Sequence, residues 1–237
     1  MNQFVPIPNT WGMVPKLKPY VMRNPVSPSS IRIALCGASG SGKTTLAKSL
    51  ARVFGIPFKE NSAGLLLTPE QQEYLVNTYG WTKSGHQDVI RLSNINPSFG
   101  FDFQNELLIT RGKWIANNSP FIIDRSPVDN ITYFLLQVSA LVSEPHCDSF
   151  IRAAQDAMLP ITHLIYIPTM NPNVENNGSR VSNYYYQQMV TAQFRNTINT
   201  YFNPNSANCR FYFHAVTTWD WDARLRQAIA FIKATTT

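Results

Sequence analysis

No aspartate or glutamate occurs before Glu60, yet Lys16, Lys18, Arg23, Arg32, Lys43, Lys48, Arg52 and Lys59 all precede it. The net charge of +6 therefore comes from the first quarter of the chain, and the remainder is slightly acidic. A basic quarter suits anions, either nucleotides or a nucleic-acid backbone, and a solvated basic surface is the plainer reading. Cysteine is equally scarce. Cys36, Cys147 and Cys209 are odd in number, far apart and without histidines at ligand spacing, which excludes a disulfide framework or a zinc site. No apolar run approaches the roughly 20 residues of a membrane span, and the start lacks a basic-then-apolar leader, so a soluble, cytoplasmic protein with no membrane partner is expected.

At 237 residues, with 44% hydrophobic and 14% charged side chains, one sizeable α/β domain fits better than two small ones. Residues 1–30 carry Pro6, Pro8, Pro15, Pro19, Pro25 and Pro28 and read as an extended basic arm. From Ile31 onward, through residues 31–237, short apolar runs alternate with longer helical patterns, as in successive βαβ units. Strands are expected at Ile31 to Cys36, Pro57 to Lys59, Phe121 to Asp124, His163 to Ile167 and Phe211 to Val216. Helices are expected to start near Lys43, Pro69, Phe101, Pro127, Pro145 and Ser182, with a last one from Asp220 to Lys233. Five strands with helical crossovers imply a mostly parallel sheet covered on both faces.

The densest signal is GASGSGKTT, between an apolar strand and a helix opening at its lysine. Gly37, Ala38, Ser39, Gly40, Ser41 and Gly42 would wrap backbone N–H groups around phosphate, with the helix dipole behind them. Lys43 would reach the β/γ-phosphates of ATP, Thr44 would bind Mg2+, and Thr45 completes the motif. Strand, loop and helix in that order separate a phosphate-binding P-loop from a chance match. Cys36 reads as a buried strand residue.

The second signal is FIIDRSPVDN at 121–130. Asp124 ends a buried strand, and if that strand lies beside Ile31 to Cys36, its carboxylate faces the P-loop mouth. There it could hold Mg2+ directly or through water, while Arg125 could clamp an acceptor or a phosphoryl group in transfer. Ser126, with Pro127 after it and Asp129 at the third position, reads as a helix N-cap. No carboxylate follows Asp124 to activate water, which favours transfer to an acceptor over hydrolysis.

On these residues the chain resembles the P-loop nucleoside and nucleotide kinases, most closely their ribosylnicotinamide-kinase-like branch. The resemblance runs from about Ile31 to Lys233 and implies a three-layer α/β P-loop NTPase fold with a five-stranded sheet and a lid near 169–181. It implies that Glu60, in IPFKENSAGLL, faces the acceptor and handles its hydroxyl proton. Gln104, Phe101 and Phe103, in FGFDFQNELL, would hold a base by paired hydrogen bonds and stacking. Arg180, in the lid, would stabilise the transferred phosphoryl group, and FYFHAVTTWDWDARLRQAIAFI falls where these kinases enclose adenine. The chain departs from the pattern in Ala63 and Gly64, where arginine often follows the carboxylate, and in Asn176 and Asn177, where acids are common in the lid.

Three functions follow. The first is an ATP- and Mg2+-dependent kinase acting on a hydroxyl of a nucleoside-like small molecule. The second keeps the chemistry but takes a hydroxyl displayed on DNA, such as a hydroxymethylated base. The third is a regulatory P-loop ATPase. Acceptor identity and oligomeric state stay open, with a dimer compatible.

Overall fold

The computed structural model describes residues 26–61, 66–82, 86–169, 183–206 and 208–236. Five strands alternate with eight helices among them: β1 (Arg32–Cys36), α1 (Lys43–Phe54), β2 (Phe58–Lys59), α2 (Pro69–Tyr79), α3 (His86–Ile95), α4 (Pro97–Asn117), β3 (Phe121–Ile123), α5 (Pro127–Gln137), α6 (Glu144–Met158), β4 (His163–Tyr166), α7 (Tyr184–Thr197), β5 (Tyr212–Ala215) and α8 (Trp221–Thr235). The strand order is β2-β3-β1-β4-β5, and every pairing is parallel.

Burial explains why the strands read as continuous apolar runs. Ile33, Leu35, Ile122 and Ile165 pack on one face against Leu46 and Leu50 of α1 and Phe231 and Ile232 of α8. Ala34, Cys36, Ile123 and Leu164 pack on the other against Val128 and Tyr133 of α5 and Val190 and Phe194 of α7. With helices on both faces, no position between them can be polar without a partner. The sequence expectation of a mostly parallel five-stranded α/β sheet therefore holds. Helix α4 starts at Pro97, four residues ahead of expectation, because Asn96 caps it by accepting the Ser98 N–H.

One helix escaped the sequence reading. α3 buries Val89 and Leu92 on one face and Asp88 and Ser93 beside them, a period that the sequence reading passed over. It belongs to a separate cluster with Leu75, Trp81, Phe99, Phe103 and Leu107, away from the sheet. Ahead of β1, the Val26 N–H donates to the Thr235 carbonyl at 3.0 Å, an isolated parallel bridge that ties this segment to the end of α8. Residues 1–25 of the expected arm lie outside the described residues, as does the expected lid apart from Thr169. No helix among the described residues is long and apolar enough to cross a membrane.

Candidate active site

β1 lies between β3 and β4, so the loop leaving its carboxyl end opens where the sheet order reverses, where open α/β sheets bind ligands. Gly37 takes φ +143°, and a Cβ there would stand 2.2 Å from the Ile167 carbonyl oxygen at the end of β4. Only glycine lets the loop pass so close. Gly42, at φ +90°, turns the chain into α1 as its N-cap. Ala38 and Ser41 are buried, and Gly40 and Thr45 are exposed. Tyr133 of α5 accepts the Ser39 N–H of the loop.

Lys43 is 5% exposed and folds back over its own loop, donating to the Ala38 carbonyl at 2.6 Å and lying 3.4 Å from the Ser41 hydroxyl. Burial, then the charge of Arg125, pulls its pKa from 10.5 down to about 7, with Asp129 and Asp124 acting the other way. A buried ammonium held mainly by a carbonyl is poorly compensated. An anion in the loop would restore its charge.

β3 pairs with β1, so Asp124 does reach the loop. The Thr44 hydroxyl donates to Asp124 Oδ2 at 2.6 Å, and the Asn61 backbone N–H donates to Oδ1 at 2.8 Å. One carboxylate thus joins the P-loop helix to the segment after β2. Ser126 caps α5 as expected, in a box with Asp129. Arg125 donates to Asp129 at 3.1 Å and lies 5.7 Å from the centre of the Tyr133 ring. Burial opposes its charge, but Tyr133, Asp129 and Asp124 outweigh burial and raise its pKa. Glu60 is half exposed at the end of β2, with Lys48 Nζ of α1 3.7 Å away.

The residues implied for a base separate. Phe103 is 3% exposed and packs on Trp81 and Phe99 in the outer cluster, whereas Phe101 packs on Phe134, Phe150 and His146. Side chains two residues apart on a helix diverge by about 200°, so Phe101 and Phe103 pack in different clusters and do not face one space together. Gln104 is buried between them and donates to Gln137 at 3.3 Å, and Gln137 bonds Tyr186 in turn. Arg180 lies outside the described residues.

Two buried arginines were not anticipated. Arg111 of α4 is 2% exposed and donates to the Ser126 and Asn61 carbonyls at 3.3 and 3.4 Å and to the Asn130 side chain. Burial lowers its pKa to about 10. Arg224 of α8 donates to the P-loop carbonyl of Ser41 at 2.9 Å. Spacing could have found both. Gln104, Leu107, Leu108, Arg111 and Ile115 form one buried stripe, and Arg224, Ala228, Phe231, Ile232 and Thr235 form another.

For a magnesium ion, hard oxygen donors are the test. The Thr44 hydroxyl and the Asp124 carboxylate are such donors, already in contact at the loop mouth. Among the described residues no three His, Cys, Asp or Glu side chains form a metal cage, and magnesium held with phosphates needs only one or two protein oxygens. The pair fits the ion.

Residues 32–224 match the AAA domain family. No curated protein matches the sequence. Among solved structures, deoxyadenosine kinase from M. mycoides with dCMP and a flexible dCDP aligns with a TM-score of 0.57 at 13% identity, over 86% of this chain and 99% of that one. The same enzyme with dCTP gives 0.54 at 14% identity over 86% and 100%, and with dATP 0.51 at 15% over the same shares. At such identity the likeness shows the fold. With the glycine loop, Lys43 and Asp124 assembled at the switch point of a parallel sheet, the chain belongs to the AAA domain family and has the fold of a P-loop nucleoside kinase.

Proposed function

We propose that the protein is an ATP-dependent kinase that transfers the γ-phosphoryl group to a hydroxyl of a nucleoside- or nucleotide-like small molecule. The observation that carries this reading is the Asp124 bridge between Thr44 and the Asn61 backbone. It couples the loop that would hold the donor to the segment that would receive the acceptor, and a site for hydrolysis needs no such link. The hydroxyl oxygen attacks the γ-phosphorus, the bond to the β,γ-bridging oxygen breaks, and ADP leaves. Asp124 is engaged with Thr44, the Asn61 N–H and the magnesium it would hold, and Glu60 receives the hydroxyl proton in this reading. Lys43, Arg125 and Arg180 stabilise charge on the phosphoryl oxygens. Magnesium, held by Thr44 and Asp124, would neutralise charge on the β- and γ-phosphates.

The departure from glutamate after Asp124 supports transfer. Arg125 stands there instead, oriented by Asp129 and Tyr133. The test is incubation with γ-labelled ATP, magnesium and a panel of nucleosides, nucleotides and hydroxymethylated DNA. Label on a small-molecule acceptor is expected, label on DNA would move the acceptor to a polymer, and label only in free phosphate would overturn the kinase reading.

A further inference from the structure

Helix α5 carries a polar side chain at every fourth position, Asp129, Tyr133 and Gln137, while Val128, Ile131 and Phe134 fill the cores beside them. Residues four apart share one face of a helix, so the three form a single seam, and Arg125, four residues ahead, bonds its first member. Asp129 divides its two oxygens. Oδ2 accepts the Ser126 N–H and hydroxyl at 2.9 and 3.1 Å, and Oδ1 accepts Arg125 at 3.1 Å. Tyr133 is 8% exposed, and its phenolic oxygen accepts both the Ser39 N–H and the Arg125 guanidinium. Its ring meets Phe194 edge-on at 5.9 Å, a contact that phenylalanine would make equally well. The oxygen is what the two donors need. Asp129 thus ties Arg125 to its own helix, whereas Tyr133 ties it to the P-loop.

Charge places Arg125 on the same side. It is the charge that acts most strongly on Lys43, and it acts against the ammonium. Two largely buried cations near one another repel, and an anion close to both would relieve the repulsion.

By its place in the sequence, Arg125 could serve either the acceptor or the phosphoryl group. We propose that Tyr133 is a positioning residue that fixes Arg125 to the donor loop, so that the arginine acts on the phosphoryl group in transfer and not on the acceptor. This rests on reading the loop as the donor site. Without the phenolic oxygen Arg125 would keep one anchor, Asp129, about which the guanidinium can turn, and a misplaced cation stabilises developing charge less.

The experiment follows γ-labelled magnesium-ATP with the full-length wild type, Tyr133→Phe, Arg125→Gln and the double variant, counting label passed to a nucleoside or nucleotide acceptor and label released as phosphate. Melting curves fix a temperature at which all four are folded, and rates are compared there; Arg125→Lys takes the place of Arg125→Gln if the latter does not fold. Tyr133→Phe is expected to lower kcat about tenfold, in line with the loss of a charge-assisted hydrogen bond, with the KM of ATP and of acceptor each within about twofold. The arginine variant should lose more, and the double variant no more than the arginine variant alone, because the tyrosine acts through the arginine. Losses that multiply in the double variant, or a Tyr133→Phe that melts lower but keeps its kcat, would overturn the coupling. A rise in the acceptor KM alone would put Arg125 on the acceptor and overturn it as well. Label found only in free phosphate overturns the kinase reading, and the same cycle on phosphate release then decides the coupling. A wild type that releases no label overturns both.

Discussion

The proposed donor side and the proposed acceptor side of the site are built by different means. On the donor side, nine consecutive residues make the loop, and its cation stands buried and poorly compensated, Lys43 lying on the Ala38 carbonyl. On the acceptor side, residues from distant elements already bond one another, Gln104 with Gln137, Arg111 with Asn61 and Ser126, Glu60 with Lys48, although Arg111 Nε and Asn61 Oδ1 stay buried without a hydrogen-bond partner among the described residues. The first arrangement is a site whose ligand relieves a cost. The second is a site whose ligand must displace existing partners, which makes it selective.

The sharpest way to break this contrast is to remove the buried cation. Lys43→Ala should lower turnover by about a thousandfold and weaken ATP, since its charge stabilises phosphate oxygens in ground and transition states alike. The same change removes a desolvated charge, so thermal stability should stay level or rise in a melting experiment without nucleotide. A variant that melts lower and still turns over would mean that the lysine is structural.

Glu60→Gln probes the other side with a smaller effect. Loss of a proton acceptor should cost about a hundredfold in kcat, while ATP affinity, measured by calorimetry, should stay within about twofold. The Lys48 partner is half exposed, so the lost ion pair should cost little stability. Unchanged kcat would remove Glu60 from the acceptor site and leave the proton to Asp124 or to solvent.

The two sides also differ in how far they could be read from the chain. The donor loop is contiguous, and the glycines that bend it, Gly37, Gly40 and Gly42, all take positive φ, so sequence and geometry say the same thing. Asp124 was legible because a carboxylate ending an apolar strand has one place to go once that strand neighbours β1. The acceptor side depends on which faces of α4 meet which helices. Phe101 and Phe103 look like a stacking pair in sequence, but the helix turns them into separate clusters. Arg111 looks like an ordinary helical arginine until its place in the buried stripe with Leu107 and Ile115 is noticed. The register of a helix is set by packing partners that no local motif encodes.

The smallest predicted effect follows from the electrostatics of the donor loop. In the free protein Lys43 titrates near pH 7, because burial and Arg125 hold its pKa down. A triphosphate beside it stabilises the charged form, so the pKa of the bound state is higher. Binding then takes up a proton at any pH between the two values, and affinity must fall as pH rises through that window. Below pH 7 the free lysine is already charged and affinity should be flat. Above it, the Kd for magnesium-ATP should rise by about tenfold per pH unit until the pKa of the bound state is reached. Calorimetry at pH 6.5, 7.5 and 8.5 in buffers of different ionisation enthalpy measures both the slope and the proton taken up. Lys43→Arg, whose side chain stays charged throughout, should abolish the slope whatever its absolute affinity. If the slope survives in that variant, the titrating group lies elsewhere and the donor loop is not the uncompensated site that sets it apart from the acceptor side.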